Sequence, residues 1–444
     1  MKPKAKDDLI MYRLAYILIL CGFLVSCSEN SWYGDNPPTP LHGERIDILI
    51  QQEPLKVDVE KEASIVLPPP KNVDEWPQVG GFPSHTMSHL SIRDNLQRVW
   101  SANIGAGASK KHVFLTQPVV AKGKVFAMDS ESVASAYDLK NGKLLWETDL
   151  TRKDINDGSY GGGIAFDNDK LFITSQFAEL LAINSVDGNI LWRRSLVSPV
   201  RGAPTVIAGR VLLMTVDNLT LCLSSDDGHE LWRHVGIDEM TSIIGGNSPA
   251  VYEDFVVVSY KSGEVLALNL ENGSVKWNEI ISVLKGTNQA TALTDIRGLP
   301  IIDNDRVFVI NNSDVFMAID LHTGRRIWEK NVGSMQTPWV ADNYVYLINK
   351  NSELICFEAD TGQVHWIKNL NFSEKKPHLA WSGPLLASNK LITVSSSGNV
   401  VFLSPYTGEV LEQKELPTGV TIAPIIANET LLFMTKNGEL IAYR

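Results

Sequence analysis

From residue 118 to the end of the chain, apolar residues come in short β-branched and aliphatic runs broken by Asn, Asp, Gly and Ser, as at 211–216, 219–223 and 230–233. Runs of that length between turn residues predict strands joined as hairpins. The runs fall in a fixed frame: a small residue, a glycine six places on in an Asx-rich turn, and a tryptophan four places after that. Ala136, Gly142 and Trp146 set the pattern. It returns at Ala182, Gly188, Trp192; Cys222, Gly228, Trp232; Ala267, Gly273, Trp277; Ala318, Gly324, Trp328; and Cys356, Gly362, Trp366. Phe402, Gly408 and Glu412 make a degenerate seventh copy.

Proline stands 24 residues before the turn glycine at Pro118, Pro204, Pro249, Pro300, Pro338 and Pro384, with Ile164 in that slot in the second copy. Proline suits a strand end or a place where no ladder donor is needed. With the run at each proline, every unit holds four strands, and such repeats predict propeller blades. The last copy has Pro424, a strand at 430–435 and Ala442, then ends at Arg444 before any tryptophan strand. Val99-Trp100 stands ahead of the first copy with no unit of its own. The expected fold is therefore all-β: an eight-bladed propeller of four-stranded antiparallel blades, the last closed by the N-terminal strand, which removes an open sheet edge.

The N-terminal residues follow other rules. Residues 1–26 carry Lys2, Lys4, Lys6 and Arg13 before the apolar run 14–25, too short to span a bilayer and suited to a signal peptide, with Met11 as an alternative start. The run ends in Leu24-Val25-Ser26-Cys27, which resembles a bacterial lipobox. That resemblance implies cleavage before Cys27 and acylation of its thiol; Ser28 after it implies the outer membrane under the enteric sorting pattern. Residues 27–75, with Pro37, Pro38, Pro40, Pro54 and Pro68-Pro69-Pro70, are expected to be a semi-extended tether, and 76–444 the propeller.

Composition narrows the partners. Net charge is −11, and −13 once residues 1–26, with four basic and two acidic side chains, are removed. An acidic surface argues against nucleic acid and anionic lipid. Cys222 and Cys356 occupy the small-residue slot, three blades apart, and are expected to be buried and unbridged. The histidines show no metal-ligand spacing with cysteine or carboxylates. Each tryptophan is expected to pack alike in every blade, clamping the outer strand to its neighbour. The Asx-Gly turns are expected to be hairpin turns before calcium sites.

The segment Trp76-Pro77-Gln78-Val79-Gly80-Gly81-Phe82-Pro83-Ser84-His85-Thr86, followed by the glycine–tryptophan repeats, resembles the pyrroloquinoline-quinone-type propeller superfamily. With the lipobox, the proline-rich tether and a lone ring, the chain resembles the BamB family within it. The resemblance implies a non-catalytic lipoprotein scaffold of the outer-membrane β-barrel assembly (BAM) complex that binds the POTRA domains of BamA, needs no cofactor, and sits at the periplasmic face of the outer membrane. It implies partner contacts from two neighbouring connections, at Ile243 and Ile244 and at Asp295 and Arg297. The alternatives are a quinoprotein dehydrogenase, whose vicinal cysteine pair is missing here, and an envelope polysaccharide-binding or sensor propeller.

Overall fold

The computed structural model describes residues 55–58, 64–109, 116–152, 162–175, 177–237, 246–281, 298–372 and 379–444. Their strands form eight four-stranded antiparallel sheets. Blades 1 to 7 are each consecutive in sequence, at 119–149, 163–195, 205–235, 250–280, 301–330, 339–369 and 381–415. Blade 8 takes three strands from 425–443 and its outer strand, Arg98–Asn103, from the other end of the chain. Trp100 pairs with Ala442 and Asn103 with Glu439, so the expected closure is present.

The blade repeat has a physical basis that sequence spacing did not disclose. Within a blade, each tryptophan lies opposite the small residue: Ala136 pairs with Trp146, Cys222 with Trp232, Cys356 with Trp366. Its ring then crosses to the next blade. A Cβ on any of the seven turn glycines would sit 2.5–2.8 Å from a ring atom of the preceding blade's tryptophan, and these glycines hold φ of +70° to +76°. Six of the rings also donate Nε1–H to the carbonyl three residues before that glycine, as Trp100 does to Leu139 (3.0 Å) and Trp277 to Leu321 (2.6 Å). The tryptophan therefore clamps blade to blade, where a clamp on its neighbouring strand was expected.

The same geometry explains Glu412. The tryptophan of each blade needs a turn glycine in the next. Blade 8 has no such turn, because its third and outer strands come from opposite ends of the chain and meet through paired Gln97 and Arg444 backbones. A tryptophan in blade 7 would have no glycine to pack on, so the slot is free to hold a carboxylate.

The expected tether ends in an ordered strap. Asp58 N–H donates to the Val364 carbonyl (2.9 Å) at the outer strand of blade 6, and Ile65 is buried in the apolar cluster shared by blades 6 and 7. The Pro68 carbonyl then meets His89 Nδ1 at 2.6 Å. From there, residues 73–90 run round the inner wall of the ring as a plug that touches every blade. Val73 O accepts from Asn428 of blade 8, Trp76 exchanges two bonds with Val120 of blade 1, and Pro77 O accepts from Phe166 of blade 2. Gln78 Oε1 accepts from Val206 of blade 3, and Pro83 and Ser84 carbonyls from Val251 and Ile302 of blades 4 and 5. Ser88 O accepts from the Trp339 indole of blade 6, and Leu90 pairs with Leu386 and Ser388 of blade 7.

The proline slot now has a reason. Alternate N–H groups of an inner strand point the same way, so the slot and the residue two places on both face the channel. In blades 1 to 5 that second residue (Val120, Phe166, Val206, Val251, Ile302) donates to the plug, and in four of these five the slot itself is proline, Ile164 of blade 2 being the exception. Proline removes the donor that would otherwise be buried without a partner.

Candidate functional site

Two faces follow from the strand order. One carries the middle turns and the connections between blades, held together by bonds such as Leu150 N to Ser132 O and Gly236 N to Asn218 O. The other carries the Asx-Gly turns. In these, the carboxylate is occupied by its own backbone: Asp138 Oδ1 accepts from the N–H groups of Lys140 and Asn141.

Ile243 and Ile244, in the connection from blade 3 to blade 4, lie outside the described residues, as do Asp295 and Arg297 in the next connection, and Cys27. The flanking residues are described and sit on the connection face. Gly246 packs backbone to backbone on Gly202 of the preceding connection, where a Cβ would lie 2.0 Å from Gly202 N. Gly246 and Leu299 both stand in the wall of a central funnel.

The outer strands add a feature that the repeat itself could have revealed. Three residues after the tryptophan slot, six blades carry a polar residue: Asn103, Asp149, Ser195, Asn331, Asn369 and Glu415. Only blades 3 and 4 carry an aliphatic one there, Val235 (69% exposed) and Ile280 (52%). Ile237 beside them is 59% exposed. These residues flank the two connections singled out in the sequence, and aligning the copies past the tryptophan would have found them.

The funnel is a cavity of about 200 Å³, floored by Trp76, Gly80 and His85 of the plug and walled by the inner ends of blades 5 to 8 with Gln117 and Gly246 from the entries to blades 1 and 4. Trp76 and Trp339 stack with centroids 6.4 Å apart. His85 donates Nδ1–H to Pro300 O (2.8 Å), and burial pushes its pKa down to about 4. No described residue of the lining carries a carboxylate, ammonium or guanidinium. Pyrroloquinoline quinone is a tricarboxylate that works with a divalent cation, and charges brought into an apolar site without partners are strongly disfavoured. The described lining does not fit that cofactor.

Cys222 and Cys356 are free and buried, with thiols pushed up to about 12 in the first and further in the second by desolvation, which makes them packing groups and not nucleophiles.

Comparison with known proteins agrees with this architecture. The family model described as outer membrane protein assembly factor BamB matches residues 129–368, more than half of the chain. The outer membrane protein assembly factor BamB of Yersinia pestis is 25% identical over 367 residues, covering 81% of this chain and 92% of that protein. Among solved structures, BamB from Moraxella catarrhalis superposes with a TM-score of 0.68 at 17% identity, covering 79% of this chain and all (100%) of that one. Quinohemoprotein alcohol dehydrogenase from Comamonas testosteroni gives 0.66 at 14%, covering 83% and 80%. At such identities the structural likenesses speak to the fold alone.

Proposed function

Because the chain belongs to the family of the outer membrane protein assembly factor BamB, we propose that it is a non-catalytic scaffold lipoprotein of the BAM complex. In this proposal it is anchored through Cys27 to the periplasmic face of the outer membrane and binds the POTRA domains of BamA through its connection face. The observation that carries the site is the switch from polar to exposed aliphatic residues at Val235 and Ile280, in the two blades whose connections hold Ile243, Ile244, Asp295 and Arg297. Burying one such side chain against a partner is worth about 1.5–3 kcal/mol. A few residues of this kind, with an arginine among them, typically carry most of an interface's energy.

Binding to the periplasmic part of BamA tests this reading. The double variant Arg297→Glu with Ile243→Asp is expected to abolish binding, and Val235→Asp with Ile280→Asp to weaken it at least tenfold, each with a near-native melting temperature. Asp187→Lys and Asp227→Lys, in the opposite face's turns, should bind as wild type. If the turn-face changes break the complex and the others do not, the site is on the wrong face. The anchor has a separate test. Cys27→Ala should move the protein from the membrane pellet to the soluble envelope fraction, since acyl chains supply about 0.8 kcal/mol per buried methylene. Salt-resistant pelleting of the variant would contradict the anchor.

A further inference from the structure

We infer that the central funnel is a binding site for a neutral, ring-shaped apolar ligand. Its wall carries flat apolar faces, the indoles of Trp76 and Trp339 and the rings of Pro338, Pro384 and Pro424, beside Met335, Gln336 and Thr337, whose Oγ1 accepts from Leu299 N–H (3.1 Å). Both indole N–H groups are already spent, Trp76 on Gln117 Oε1 (3.2 Å) and Trp339 on Ser88 O (2.8 Å). The rings therefore offer a ligand their faces and not their donors. Gln117 is spent as well, its Oε1 accepting also from Gly80 N–H and its Nε2 donating to Ala423 O (3.1 Å). The prolines bring no N–H of their own.

A charged ligand entering such a wall gives up its hydration and finds no counter-charge among the described residues. An aromatic or fused ring exchanges water for stacking on indole and proline. His85 is a polar residue of the floor. Its Nδ1–H is fixed on Pro300 O, so Nε2 must be the bare acceptor, and it is buried without a partner. That acceptor lies beneath the floor and not on it, and the depressed pKa of His85 keeps the floor uncharged at neutral pH. This is a chemistry opposite to that of the tricarboxylate cofactor found with the same fold, and it stands whether or not the ring binds BamA.

The experiment is a fluorescence titration of the full chain with N-phenyl-1-naphthylamine, a neutral ring amine, beside its anionic relative 8-anilinonaphthalene-1-sulfonate. Saturable binding of one neutral probe per chain, at least tenfold tighter than the anion, is expected. Met335→Glu and, separately, Ile422→Asp should each weaken the neutral probe at least tenfold. Met335 is 39% exposed, so a charge there leaves the fold intact, as an unchanged melting temperature will show. Absence of saturable binding, equal binding of the anion, or probe binding unaffected by both variants in folded protein would each overturn the inference.

Discussion

Deleting residues 97–102 is expected to leave a protein that aggregates or melts far below the wild type. Those residues make most of blade 8's outer strand, with Trp100 opposite Ala442 and Ala102 opposite Leu440. The loss removes a buried tryptophan, 7% exposed, together with its bond to Leu139 of blade 1, so blade 8 loses both its outer strand and its clamp on blade 1. It also bares the strand Glu439–Tyr443 as an apolar edge, a template for pairing with other chains. Each lost apolar side chain is worth about 1.5–3 kcal/mol, and a whole domain's margin is about 5–15 kcal/mol. Thermal melting with size-exclusion chromatography reads the outcome. An unchanged melting temperature in monomeric protein would show that the blade closes some other way.

Deleting residues 64–92 is expected to do more than lower the melting temperature: it should split the transition. In a ring of repeats each blade touches only its neighbours, and such arrays unfold with cooperativity that decays along the array. The plug gives all eight blades a common partner. Trp76, Met87, Leu90 and Ile92 are buried in it, and its carbonyls satisfy inner-strand N–H groups in most of the blades. Without it those donors face water-filled space and the ring is coupled only through its tryptophans. In differential scanning calorimetry the wild type should give one transition with matching calorimetric and van't Hoff enthalpies. The deletion should give a broader or double one, starting at least ten degrees lower by the scale on which a few kcal/mol move a domain of this size. A single sharp transition at the wild-type temperature would assign the cooperativity to the blades alone.

The ring was legible in the sequence because its cause repeats. A glycine that must admit a tryptophan, a small residue opposite that tryptophan and a proline facing the channel recur at fixed spacing, and even Glu412 is a departure that closure permits. The direction of the tryptophan clamp was not legible, since spacing within a copy is the same whether the ring packs in its own blade or the next. The plug was visible only as a motif: Trp76 to Thr86 reads as one segment, while its partners lie on eight inner strands spread from Val120 to Asn428. For the same reason the funnel left no trace, its wall being assembled from Trp76, Gln117, Trp339 and Pro424, far apart in the chain. For the partner face, the repeat fixes where connections begin and end but not what they carry. Val235 and Ile280 stand out only when the blades are compared with each other.

The pairing of Val73 with Asn428, 355 residues downstream, also sets an order of events during synthesis. The plug emerges first, from the ribosome and again on the far side of the membrane if the chain is exported as proposed, yet its last wall is made only when blade 8 appears, which at synthesis rates of about 5–20 residues per second is about 20–70 s later. Over that interval Trp76, Met87, Leu90 and Ile92 have no complete seat, and Arg98–Asn103 has no strand to pair with. The nascent chain must therefore wait with its ends apart, whereas a denatured full-length chain has all eight walls from the start. Native rings should form sooner by refolding of the full chain than from a chain that arrives N-terminus first.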